Sequence, residues 1–392
     1  MLDSFLRSVT KDCYGPLTYL QPNGTKLPNP VVVEKFHDSF SVLGWGKMPD
    51  LLADRGKINA LFFHQIHSRL KSADRWKDFL RSPDALTFRK AAASIPQSGN
   101  VSAMLNELTE IFPVPTSYLG LIDEATFKSL ESNTTLTSPQ LVDPLRDGIA
   151  GVDFKKTFYP VCEFFHDEKL PVANVMGRAV TDYALWKNQT AARLLPFEFQ
   201  CHFSLTENSL RKLNTASLAL PKTASIATLQ AGTTWDFPLI ELVLTQDAFQ
   251  KRVGYSGAIW MTGFSPEKLQ KIILTAAWIS AFVKYQLRDV KINSVDLRFA
   301  MDAQGNLILA DCLTLDDLHL EKDGHFLHVD AALEHYQKTS WFDAVLRAQK
   351  QADEHGLSEW KRLCAEPSPW LDPKVKQSLE KIAMEVTHVL KS

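Results

Sequence analysis

The chain has 392 residues, 45% hydrophobic and 22% charged, enough to bury a substantial core as one large or two intimate domains. A formal net charge of -2 argues against nucleic acid or an anionic membrane as partner. Five cysteines at irregular spacing (13, 162, 201, 312 and 364) form neither a disulfide framework nor a zinc pattern, Met1 to Asp12 lacks a secretory apolar core, and a cytoplasmic protein is expected.

Val31 to Val33 predict a buried strand, and Ser41 to Leu43 a second, short one. A helix is expected from Lys57 to Leu70, with Ile58, Leu61, Phe62, Ile66 and Leu70 on its apolar side. From about Lys71 to Arg193 the chain reads as helical and loop-rich, punctuated by Ile95-Pro-Gln-Ser-Gly99 and Ser132 to Pro139. Strands are expected at Pro196 to Phe203 and Phe237 to Leu244, joined by a Ser/Thr/Ala-rich surface connection, Asn214 to Thr234. Ser265-Pro266 predicts a helix start, an N-cap serine with proline at the first helical position. The apolar run that follows, Ile272 to Val283, is too short to span a bilayer and is flanked by Lys271 and Lys284.

From Asp289 to Asp317 the chain reads as strand, tight turn and strand. Val295, Leu297, Phe299 and Met301 alternate with Asp296, Arg298 and Ala300, and Asp302 to Asn306 supply the turn. The second strand delivers Asp311, Asp316 and Asp317, hard oxygen ligands of the kind magnesium takes; an exposed hairpin with a solvated acidic end is the plainer alternative. Residues 329–392 read as mainly helical, with breaks at Pro367, Pro369 and Pro373. His64 and His67 share a helical face, and Cys162 and His166 have i, i+4 spacing, but neither pair has a third ligand nearby in sequence. No nucleophile elbow, P-loop or GxGxxG fingerprint is present.

The hairpin carries a resemblance. Ser294-Val-Asp-Leu-Arg-Phe-Ala300 and the stretch from Ala310 to Leu320 are similar to the DTKFEFG strand and VDEVLTPDSSR segment of the SAICAR synthetase (phosphoribosylaminoimidazole-succinocarboxamide synthase) family. In the same order, Ser8-Val-Thr-Lys-Asp-Cys-Tyr14 resembles its GKVRDLY, and Asp38-Ser-Phe-Ser-Val-Leu-Gly44 its DRxSAFD. Ala53-Asp-Arg-Gly56 is similar to IPxKG, and Leu195 to Phe203 to PLEVVVRGY. Pro238 to Thr245 falls at the FTPxTK segment, and Glu334 to Asp343 resembles the closing helix.

The resemblance implies an α+β, two-lobed fold with antiparallel sheets flanking an ATP cleft. It divides the chain into an N-terminal α/β lobe (1–70), the helical insertion (71–192), an ATP-grasp-like C-terminal lobe (193–328) and C-terminal helices (329–392). It assigns Lys11, Asp12 and Glu198 to the nucleotide, Asp38, Ser41 and His202 to the substrate, and Asp296, Arg298 and Asp311 to catalysis, with Asp311 on magnesium. Departures are specific: Ser8 and Val9 replace a glycine and a lysine, Gly44 an aspartate and His202 an arginine. Asp296 and Arg298 replace a lysine and a glutamate, and Cys312 replaces the glutamate beside the metal aspartate. The implied function is an ATP- and Mg-dependent carboxylate–amine ligase scaffold with altered or reduced catalysis. The alternatives are a non-catalytic relative that binds a nucleotide or partner, and a genuine synthase of purine biosynthesis.

Overall fold

The computed structural model describes residues 11–40, 50–51, 54–93, 101–130, 132–142, 156–165, 170–176, 178–188, 192–206, 210, 213, 229–246, 251–310, 313–322, 325–326, 329–357, 360–366 and 369–389. Strands β1 (Lys11–Leu20) and β2 (Val31–Phe36) pair antiparallel, and β3 (Ser39–Phe40) with β4 (Asp50–Leu51) leads into helix α1 (Arg55–Lys71). The short strand expected at Ser41 to Leu43 lies outside the described residues. Helices α2 (Ala73–Arg81), α3 (Pro83–Ala93) and α4 (Val101–Ile111) follow. Next come β5 (Tyr118–Asp123), α5 (Glu124–Ser129), β6 (Thr135–Thr137), β7 (Phe158–Glu163), the hairpin β8 (Val172–Val175) with β9 (Arg178–Thr181), and α6 (Ala184–Asn188).

The expectation that residues 71–192 are a helical insertion is corrected here. Strands β5, β7 and β6 from that segment join β2 and β1 in one sheet, ordered β5-β7-β2-β1-β6. Val31, Val33, Leu136, Ile122, Tyr159 and Val161 pack together on one face of it, and Phe36 packs with Ala60 and Phe63 of α1 on the other.

The second sheet contains β10 (Arg193–Leu194), β11 (Phe197–Ser204), β12 (Thr234–Leu244), β13 (Arg252–Val253), β14 (Lys291–Met301), β15 (Leu307–Ala310), β16 (Leu318–Lys322) and β17 (His325–Phe326). Its main order is β13-β12-β11-β14-β16-β17, with all pairs antiparallel. Helices α7 (Tyr255–Thr262) and α8 (Pro266–Gln286) connect β13 to β14. Ser265 caps α8 as expected, its hydroxyl accepting from the Lys268 N–H at 3.1 Å. A buried stripe of Leu269, Ile272, Ile273, Ala276, Ile279 and Val283 is the expectation from sequence, and every residue of α8 from Ile272 to Val283 is buried. The reason is a second layer: one side of α8 packs on β11, β12 and β14, the other against α2, α3 and α4. Trp76 of α2 stacks on Phe282 and Phe88 of α3 on Trp278, with ring centroids 4.1 and 4.5 Å apart. A helix covered on both sides is apolar all round, and no helix among the described residues is long and apolar enough to cross a membrane.

The chain ends in α9 (Val329–Tyr336), α10 (Ser340–Glu354) and α11 (Pro373–Val389), with a small core of their own around Trp341, Trp360 and Val345.

Two features tie the sheets together. Residues 115–117 lace onto β15, Ser117 N donating to Leu309 O (2.9 Å) and Leu309 N to Pro115 O (2.8 Å), while Ser117 O accepts from Glu163 N of β7 (2.8 Å). Helix α1 meets β2, β5 and β7 as well as the turn at residues 315–317. The start of α1 is sterically tight, because a Cβ on Gly56 would sit 2.3 Å from the Phe36 carbonyl oxygen. That atom is backbone and cannot swing away. Gly56→Ala is therefore expected to cost at least about 2 kcal/mol, read as a lowered urea midpoint with unchanged slope.

Candidate functional site

Side chains alternate across a strand, so the register of the second sheet assigns its faces. Phe197, Phe199 and Cys201 of β11 point into the core with Val295, Leu297 and Phe299 of β14. Burial holds the Cys201 thiol up at about 12, so it is an inert core group and not a nucleophile. The opposite face is polar. Gln200 stands across from Asp296 and His202 from Ser294, while Gln200 pairs on its other side with Glu241 of β12. Glu198 and Arg298 continue the same alternation, and His319 of β16 lies across from Ser294. Glu198, Gln200, His202, Glu241, Ser294 and Asp296 are all buried. A buried polar row on a sheet face must be met by partners or by a ligand.

Part of that row is neutralised within the protein. Glu241 is 1% exposed and lies between His202 Nε2, 3.2 Å from its Oε2, and Arg252 Nε, 2.7 Å from its Oε1. The arginine contact is an ion pair by distance, without the alignment of a hydrogen bond. His319 Nε2 is 3.8 Å from Asp296 Oδ2, an ion pair when the ring is protonated.

The acids after the hairpin are also engaged. Arg55 Nη2 donates to Asp316 Oδ2 at 2.6 Å, and Asn59 Nδ2 approaches the same oxygen at 3.4 Å. Asp317 Oδ2 accepts from the N–H and hydroxyl of Thr314 at 2.7 and 2.8 Å, closing a turn. The expectation that Asp316 and Asp317 form a magnesium-binding end is therefore corrected: one is an ion-pair partner of α1 and the other a cap. No group of three His, Cys, Asp or Glu able to hold a metal occurs among the described residues.

The remaining expected site residues separate. Asp38 Oδ1 accepts from Gly56 N at 2.9 Å and satisfies an orphan N–H at the start of α1, where Asp54 supplies no side-chain cap. Lys11 and Asp12 begin β1 and pair in register with Phe36 and Lys35, in the other sheet from Glu198 and Arg298. Asp311, Ser41, Ser8, Val9, Gly44 and Cys312 lie outside the described residues. So the structure brings Glu198, His202, Asp296 and Arg298 onto one face, and joins Asp38 to the Arg55–Asp316 pair through the first turn of α1.

Sequence reading missed Gln200, His319 and Arg55. Gln200 was signalled by the polar alternation of Glu198 and His202. Arg55 had no local signal, because its partner lies 261 positions away. The helical histidines are not ligands: His64 Nδ1 lies 2.5 Å from the Tyr118 hydroxyl, and His67 packs on the Phe63 and Tyr118 rings. Two cavities, of about 620 and 530 Å³, open elsewhere, and neither is lined by Glu198, His202, Asp296 or Arg298.

No protein-family model matches the chain. A curated Archaeoglobus fulgidus protein, provisionally named phosphoribosylaminoimidazole-succinocarboxamide synthase, is 22% identical over 196 residues, 49% of this chain and 57% of that relative. Among solved structures, the Saccharomyces cerevisiae SAICAR synthase complexed with SAICAR has 12% identity and a TM-score of 0.45, covering 100% of this chain and 96% of its own. The Ehrlichia chaffeensis synthase has 11% identity and a TM-score of 0.44, covering 88% and 98%. These structural likenesses carry no argument by themselves. The relationship rests on the 196-residue match together with the family's motifs in their order. Over that match and in the order of those motifs, the chain is similar to the SAICAR synthetase family.

Proposed function

We propose that this chain binds an adenine nucleotide against the polar face of the second sheet, on a carboxylate–amine ligase scaffold whose catalysis is altered or reduced. The observation that carries the reading is the buried polar row, Glu198, Gln200 and His202 in register with Asp296 and Ser294. In the family's reaction the terminal phosphoryl group of ATP passes to a substrate carboxylate. The amine of aspartate then attacks the acyl phosphate, expelling inorganic phosphate and forming the amide. Such chemistry needs cations for the phosphates and carboxylates to orient the amine.

In this reading Glu198 faces the nucleotide base, and Arg298 offers a planar fork for a phosphate or carboxylate. The resemblance would assign Lys11 and Asp12 to the phosphates and Asp38 and Ser41 to the substrate. The alternative role for Arg298 is to pair with Asp296 or Asp311 and fill a vacated cation site with positive charge. The described carboxylates do not fit a protein-built magnesium site, since Asp316, Asp317 and Glu241 are already committed. The same commitments favour a second reading, a relative that binds its nucleotide or a partner without turnover.

Calorimetric titration with ATP tests the binding half, and absence of binding sinks it. Incubation with ATP, aspartate and the carboxylated aminoimidazole ribonucleotide tests the chemistry. Turnover is expected well below about 1 per second, and a rate inside the ordinary enzyme range would restore the genuine synthase. Arg298→Ala is expected to weaken ATP binding if the guanidinium holds phosphate. Unchanged binding would assign it to Asp296 or Asp311.

A further inference from the structure

The larger cavity, about 620 Å³, lies between α4, the first turns of α8 and the β14–β15 turn. Its volume falls in the range of small-molecule sites, roughly 300–1,000 Å³. Leu108, Phe112, Ile272, Met301 and Leu307 give it apolar walls, and Lys268, Lys271 and Asp302 also line it.

Two of those three charges are already used. Lys271 Nζ pairs with Glu107 Oε2 at 2.7 Å. The Asp302 carboxylate holds the turn, accepting from Gln304 N (2.9 Å), Asn306 N (2.7 Å) and Asn306 Nδ2 (2.8 Å). Lys268 differs. Its ammonium makes one long contact, 3.5 Å to Gly305 O, and lies over the Phe264 ring at 4.8 Å. Among the described residues no carboxylate pairs with it, and an ammonium has three donors to place. Glu267, the other acid on the lining, is exposed and one helical position away, about 100° around the axis from Lys268.

We propose that this cavity binds a small monocarboxylate with an alkyl body, the chain against Leu108, Ile272 and Leu307 and the carboxylate on Lys268. A pocket with apolar walls and one underused cation on its lining suits a molecule that is apolar along its length and singly negative at one end. The site lies apart from the polar face of Glu198 and Arg298 and does not depend on the nucleotide reading.

Octanoate and octanol, which share a body and differ in charge, are the probes, titrated calorimetrically into the full chain. Octanoate is expected to bind one to one. Lys268→Met, which keeps the stem and removes the charge, should weaken octanoate about tenfold or more and leave octanol unchanged. Leu307→Trp should fill the pocket and abolish both, and saturating ATP should leave octanoate affinity unaltered. No stoichiometric octanoate binding by the native chain overturns the proposal. So does equal affinity in Lys268→Met, a variant at a half-buried surface position that is expected to fold, or competition by ATP.

Discussion

Acidification from pH 7 to pH 4.5 is expected to remove several kcal/mol of stability, through two histidines on α1. His64 is held down at about 4 and His67 at about 3, in both cases chiefly by burial, then by the nearby Lys71 ammonium and, for His67, by His64. Neither ring nitrogen of His67 has a partner among the described residues, so a proton placed there would be a buried, unpaired charge. Both folded values lie below the unfolded value of 6.5. Below that pH the unfolded chain takes up protons that the folded chain refuses. The stability contribution is therefore complete above pH 6.5 and falls away as pH drops towards 4 and 3. At about 1.4 kcal/mol per unit, shifts of this size amount to several kcal/mol even when discounted. Urea unfolding at a series of pH values checks this against a His64→Gln/His67→Gln variant. The native chain should lose several kcal/mol more than the variant over this interval, and parallel curves would remove the histidines from the account.

Asp316→Ala should be among the most damaging single changes, costing about 3–5 kcal/mol. The Arg55 and Asp316 side chains are only 3% and 0% exposed. Removing the carboxylate takes a buried ion-pair and hydrogen-bond partner from that guanidinium, in the interface between α1 and the turn after β15. Removing both partners should cost less than removing one, so Arg55→Met/Asp316→Ala is expected to recover much of the loss. The measurement is a double-mutant cycle in urea. An Asp316→Ala loss under about 1 kcal/mol would contradict the buried pair, and a loss appearing only with added magnesium would return Asp316 to the metal role it has here been denied.

Legibility differed sharply between elements and site. α1, β11, β12, α8 and the β14–β15 hairpin were readable because each is announced within about a dozen residues. The Lys57 to Leu70 periodicity, the Ser265-Pro266 start and the Asp302 to Asn306 turn are local facts. The alternation of Asp296 and Arg298 against Leu297 and Phe299 likewise gave the polar face of β14 before any pairing was known. Residues 71–192 read as helical because α2–α4 dominate their first third. The strands that follow are three to six residues long and acquire their meaning only from β1 and β2, more than a hundred positions away for β6 and β7.

Sequence by itself determined the order of the motifs, the two-residue alternation of the second sheet's strands and the capped start and apolar stripe of α8. Each of these is written in neighbouring residues, because backbone geometry repeats every 2 or 3.6 positions. Tertiary structure alone decided which acids are available for chemistry. Asp316 looks like a ligand until Arg55 arrives from 261 positions away. Glu241 looks like a spare carboxylate until β11 and β13 bring His202 and Arg252 to either side of it. A carboxylate's role depends on the cation that reaches it first, and chain folding, not spacing, sets that encounter.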